Sequence, residues 1–211
     1  MNWKNLNVSI FRCFFLAIVC LGFTFSLHAQ NTPFAELKQK FEANEVFNAE
    51  FLHQSIDSYT GDTVASRGRI WVGKSKYKIR GQHQSVVVNG KTSMVYDENR
   101  NRVIISKYEP SEDDFAPSRI LNGIDSTFTV TAERERENRY YIRLASDDPF
   151  AIYKEVEIYL SKGLIPRKIR AVDPVDNIIT TSFDQGRFME SRENLFRLDY
   201  PNGAEVVDMR N

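Results

Sequence analysis

The sequence predicts a mainly β domain of α+β type, with one N-terminal helix followed by about ten or eleven short strands. An antiparallel sheet curled into a barrel or half-barrel is the natural architecture. Three observations carry this. The apolar period changes from helical to two at Val46. Turn signals then recur, at Asn89-Gly90, Ser161-Lys162-Gly163 and Asp173-Pro174. No internal repeat, low-complexity tract or linker divides the chain, so its 211 residues suit one domain.

The helix opens at Asn31-Thr32-Pro33, with Thr32 as N-cap and Pro33 at the first helical position. Phe34, Leu37 and Phe41 recur at helical spacing, and the pattern fades near Asn44. In Phe47-Asn-Ala49-Glu-Phe51 the apolar residues share one strand face. Arg69–Val72 precedes the turn Gly73-Lys74-Ser75, after which Tyr77 and Ile79 alternate with Lys78 and Arg80. Asn89-Gly90 between Ser85–Val88 and Met94–Tyr96 is a strong hairpin signal. Arg102–Lys107 makes a further strand.

The alternation breaks at Tyr108–Asp125, where Pro110, the four acids Glu109, Glu112, Asp113 and Asp114, and then Phe115–Leu121 predict an acidic loop and a short helix. Strands resume at Phe128–Thr131 and Tyr140–Leu144, and the charged Glu133–Glu137 between them reads as a solvated hairpin end. Tyr153–Leu160, Leu164–Val172, Asn177–Phe183, Leu195–Leu198 and Glu205–Asp208 complete the set.

Residues 1–29 read as a cleavable export signal. Lys4 and Arg12 are basic, no acid occurs, and an apolar run of fifteen, Cys13–Leu27, leads to Ala29. As a helix that run spans only about 22 Å, short of the ~30 Å of a bilayer core. Cleavage near Ala29 leaves residues 30–211 as the mature domain, 182 residues with net charge −2. Cys13 and Cys20 leave with the signal, so the mature chain carries no disulfide or thiol. Val19 before Cys20, and an apolar run continuing past it, argue against a lipid-bearing cysteine.

Balanced charge, with 28 basic and 28 acidic side chains, excludes a strongly basic nucleic-acid binder. No H-E-x-x-H, Cys/His cluster, G-x-S-x-G elbow, P-loop or dinucleotide glycine pattern is present. Asp97-x-Asn99-x-Asn101 begins like a calcium loop, but Arg102 stands where glycine belongs. The pairs Asp113-Asp114 and Asp147-Asp148 read as solvated loops, and His53 and His83 as ordinary strand and loop residues. No catalytic residue, metal or cofactor is expected. Twenty aromatics remain after cleavage, ten Phe, nine Tyr and Trp71. They fill a core or line a ligand cavity, and composition does not decide between these.

The ordered set of motifs resembles the outer-membrane lipoprotein carrier family, LolA, over nearly the whole mature chain. The set comprises the helix, Phe47-x-Ala49-x-Phe51, Gly68-Arg-Ile-Trp71-Val72, Tyr77, Val88-Asn-Gly-Lys-Thr92 before Tyr96-Asp97, the short helix at Pro117–Leu121, and Phe196–Val206. The resemblance implies an unclosed antiparallel β-barrel of about eleven strands with an α-helical lid. It further implies a monomeric periplasmic carrier that shelters the acyl chains of lipoproteins. Such a carrier takes them from an inner-membrane ATP-driven extractor to an outer-membrane acceptor, and it uses no cofactor and no nucleic acid. By that map Phe47, Phe51, Trp71, Tyr77, Ile79, Met94 and Tyr96 line the cavity or its mouth. Phe115, Pro117, Ile120 and Leu121 form the lid. Many members hold the lid with an arginine after the tryptophan strand; Lys74 stands there instead and is the candidate latch. The acylated acceptor of the same pathway, a generic periplasmic binder of apolar ligands, and an enzyme are the competing readings.

Overall fold

The computed structural model describes residues 32–109, 120–121 and 127–210. The predicted export signal lies outside them. Helix α1 (Pro33–Glu42) starts as the sequence predicts: the Thr32 hydroxyl accepts the Ala35 amide at 3.3 Å. Glu36 in its first turn and Lys40 in its last complement the helix dipole.

Twelve strands follow in one sheet: β1 (Glu45–Ile56), β2 (Thr63–Val72), β3 (Tyr77–Arg80), β4 (Gln84–Val88), β5 (Thr92–Asp97), β6 (Arg102–Lys107), β7 (Thr129–Arg136), β8 (Arg139–Ala145), β9 (Glu155–Ser161), β10 (Pro166–Val172), β11 (Ile178–Glu190) and β12 (Glu205–Asp208). Their spatial order is β12-β6-β5-β4-β3-β2-β1-β11-β10-β9-β8-β7. The end strands β12 and β7 do not pair, so the barrel is open. All neighbours are antiparallel except β12 and β6.

Local chemistry explains several details. The Asn89-Gly90 hairpin forms, with Gly90 at φ +91, a conformation that L side chains rarely adopt. At Gly68 a Cβ would stand 2.1 Å from the Arg80 carbonyl oxygen, so only glycine lets β3 approach β2 there. A bulge in β11, with Gln185 at φ +52, shifts its pairing with β1 between Asn48 and Glu50.

The structure corrects three expectations. Strand β2 starts at Thr63 rather than Arg69. Glu133–Arg136 belongs to β7, and only Glu137 and Asn138 form the turn, both at positive φ. Leu195–Leu198 is not a strand. That segment runs across the sheet as a strap instead, and contacts tie it there. Phe196 packs on Gly73, Lys78 Nζ donates to the Arg197 carbonyl at 2.8 Å, and Tyr200 meets Tyr96 at 6.4 Å between ring centroids. The chain then adds β12 along β6, where Asn101 Nδ2 donates to the Gly203 carbonyl and Arg102 pairs with Glu205.

The sheet thus has two covered faces. The inner face carries α1 and the main core, which includes Phe34, Leu37, Phe41, Phe47, Ile70, Ile158 and Leu121. The outer face of β2–β6 lies under the strap, where Val87 and Val103 are fully buried.

Candidate functional site

The inner face is the candidate site. Register and two-residue alternation define it across the sheet. One row runs Phe47, Val72, Tyr77 and Val88, and another Ala49, Ile70, Ile79, Val86, Val95, Ile104 and Val207. Toward the other edge it continues through Phe183, Ile169, Ile158 and Ile142.

Its centre is packed. Phe47 meets Phe183 and Phe188 at 5.3 and 5.6 Å between centroids, and Phe41 of α1 meets Phe188 at 5.4 Å. Its flank is less covered: burial falls along the second row from Ile70 at 0% exposed to Ile104 at 36%. A groove of about 380 Å³ opens beside Phe51, Ser66, Ile79, Gly81 and Val86. A second, of about 460 Å³, lies between His53, Ser55 and Ile179 and the loop residues Ile152 and Tyr153. His53 Nδ1 lies 2.9 Å from the Thr181 hydroxyl, and burial lowers its pKa, favouring neutral imidazole.

Two polar contacts reach the ends of α1. The Glu133 carboxylate of β7 accepts the Phe34 amide at 3.3 Å, at the N-terminus of α1. Lys74 Nζ lies 2.5 Å from Glu42 Oε2, at its C-terminal end. Ile120 and Leu121 are helical; Leu121 is fully buried in the main core and Ile120 packs against it. Phe115 and Pro117 lie outside the described residues.

The predicted cavity set divides. Phe47, Phe51, Tyr77 and Ile79 stand on the inner face. Trp71, Met94 and Tyr96 do not, and this corrects the sequence map. Trp71 pairs with Asn48 and Lys78, and Met94 with Val87, all on the outer face. Tyr96 is buried beneath Tyr200 and donates its hydroxyl to Asn101 Oδ1 at 3.2 Å. Inner-face residues missed from sequence include Val86, Val95 and Ile104. Their signal was present but silent, because Ile70-Trp71-Val72 and Val86-Val87-Val88 are apolar without alternation. Among the described residues no group of His, Cys, Asp or Glu is placed to hold a metal ion.

The described residues thus form an open half-barrel whose concave apolar face is covered by helix α1. The family model for outer membrane lipoprotein carrier protein LolA matches residues 43–199, and the chain belongs to that family. Among solved structures, an uncharacterized conserved protein from Thermus thermophilus superposes with TM-score 0.53 at 13% identity, covering 82% of this chain and 97% of that one. LolA superfamily protein NE2245 from Nitrosomonas europaea gives TM-score 0.42 at 8% identity, covering 77% of this chain and 96% of that one. No curated protein matches by sequence.

Proposed function

We propose that this protein is a periplasmic carrier that shelters the acyl chains of lipoproteins on its inner face while they pass from the inner to the outer membrane. It would receive them from an ATP-driven extractor and yield them to an outer-membrane acceptor. The carrying observation is the inner face itself, an apolar surface roofed by the ten-residue helix α1, with Leu121 also buried in its core, and whose flank at Ile79, Val86, Val95 and Ile104 is only partly covered.

The energetics fit that task. Each methylene removed from water contributes about 0.8 kcal/mol, so long acyl chains need shelter to cross an aqueous space. The packed centre means that α1 must lift, or the ligand must replace Phe34, Leu37 and Phe41 with its own methylenes. Such an exchange exposes those three side chains, and burial of the acyl methylenes offsets that cost. The Lys74–Glu42 pair then acts as a latch on α1.

Displacement of an environment-sensitive apolar dye tests this reading. A triacylated lipopeptide should displace the dye, and its unacylated twin should not. Absence of dye binding, or equal displacement by both, would overturn it. Displacement by any lipid with equal strength would restrict it to a general apolar-ligand binder. Trp71 gives no direct readout, because it lies on the face away from the ligand.

A further inference from the structure

The sequence Glu133-Arg-Glu-Arg136 is neutral, but strand β7 sorts it by parity. Glu133 and Glu135 turn to one face, where Glu133 caps α1 and Glu135 pairs with Lys162. Arg134 and Arg136 turn to the other, beside Tyr141 and Arg139 of β8. Both acids are therefore used within the fold. The guanidiniums of Arg134, Arg136 and Arg139 make no hydrogen bond or ion pair among the described residues, and all three residues are exposed.

They rim a groove of about 500 Å³ floored by Tyr141 and Tyr159. The tyrosine rings lie 5.3 Å apart, and Lys168 Nζ sits 4.2 Å from the Tyr159 centroid. Glu157 at the floor is occupied: it accepts the Tyr141 hydroxyl at 2.9 Å and the Tyr159 hydroxyl at 3.1 Å, and Arg170 lies 3.8 Å away. Glu137 is the other acid in the lining of the groove, and it makes no ion pair with the arginines among the described residues. Arg136 and Arg139 are direct cross-strand partners, an arrangement that destabilises a hairpin. Among the described residues no acid forms an ion pair with any of the three guanidiniums, so that cost stands.

We propose that this groove is a docking site for an acidic peptide segment of a partner protein, bound in extended form along β7. Charge complementarity selects the sign, since planar guanidinium forks favour carboxylates held in pairs. The edge selects a peptide over a bilayer. Strand β7 ends the sheet, so among the described residues no strand faces its outward backbone groups. An extended chain satisfies such groups by strand addition, and a lipid surface does not. The tyrosine floor supplies apolar contact between the charges.

The test uses the purified protein and a labelled peptide of six glutamates, with a six-glutamine twin. The acidic peptide should bind, more weakly as salt rises, and the twin should not. The triple substitution Arg134→Gln, Arg136→Gln and Arg139→Gln should weaken binding about tenfold or more. Circular dichroism checks its fold, and the single Arg136→Gln carries the same test if the triple variant is impaired. Arg192→Gln, remote in sequence and exposed, should bind as the parent does. Equal binding of both peptides, or undiminished binding by the folded triple variant, overturns the proposal. So does recruitment to phosphatidylglycerol vesicles without peptide binding, which would make the groove a membrane contact.

Discussion

Glu133 accepts the Phe34 amide at 3.3 Å, so an edge strand of the open sheet holds the first turn of the helix that roofs it. Lys74 and Glu42 make the second tie at the other end. The roof is pinned at both ends by exposed or half-buried polar contacts and held between them by Phe34, Leu37 and Phe41.

Glu133→Gln combined with Lys74→Ala should therefore loosen α1. Each tie is worth up to ~1 kcal/mol, so binding of an acylated lipopeptide should tighten about two- to tenfold in dye competition. Weaker binding by the double variant would show that α1 is part of the ligand site and not its cover.

Gly68→Ala should be the most damaging small substitution in the sheet. Its Cβ would meet the Arg80 carbonyl at 2.1 Å, and backbone cannot step aside as a side chain can. A loss of about 1–3 kcal/mol or more is expected in thermal unfolding. Gly203→Ala, with nothing within 4 Å, should be near neutral and serves as the control.

Lys78 anchors the strap. Its side chain is 10% exposed, and its ammonium reaches the Arg197 carbonyl and, at 3.2 Å, Asp199. Lys78→Met keeps the stem but removes the charged donor, and should cost about 1–3 kcal/mol. Trp71, whose ring centroid lies 5.9 Å from the Lys78 ammonium, should change its fluorescence in parallel. An unaltered Trp71 spectrum would contradict the anchoring role.

The lowered pKa of His53 has a defined sign. Burial favours the neutral form in the folded state, so the unfolded chain binds the extra proton first as pH falls. This contribution is complete above the unfolded value of about 6.5 and is lost as pH falls from there through the folded value. Denaturant midpoints measured from pH 7.5 down to about 5 should show the decline. His53→Gln should remove that component and leave the rest of the acid profile.

Relieving the opposed pair on the β7–β8 hairpin should stabilise the protein. Arg136→Gln is expected to add about 0.2–1 kcal/mol, read as a raised thermal midpoint, most clearly at low salt. A residue that weakens its own fold yet improves stability when neutralised is the signature of a surface kept for a partner.

Much of this architecture is legible in the chain. Thr32-Pro33 and the spacing of Phe34, Leu37 and Phe41 define α1 with its correct start and buried face. Phe47-Asn-Ala49-Glu-Phe51 shows its face because polar residues alternate with the apolar ones. Trp71, Met94 and Tyr96 fall on the opposite face from the sequence map because their neighbours are apolar too, and parity then depends on a register that local sequence does not contain. The strap escapes a local reading because Leu195–Leu198 alternates like a strand, while its partner is a face and not an edge. The basic groove is hidden by neutrality: Glu133–Arg136 sums to zero and reveals its sign only once a strand separates odd from even.

The parallel pairing of β12 with β6 sets an order of events. A chain delivered N-terminus first, by a ribosome or through a membrane channel, presents strands β3–β6 roughly ninety residues before residues 195–208. Until then Val87 and Val103 face water, and β6 offers a bare edge to any neighbouring chain. Residues 195–208 thus cover an edge and a face that stand open while the earlier strands wait for them. A chain cut short before Phe196 would keep its inner core and its helix, yet it should reach the soluble fraction poorly and depend on holding chaperones.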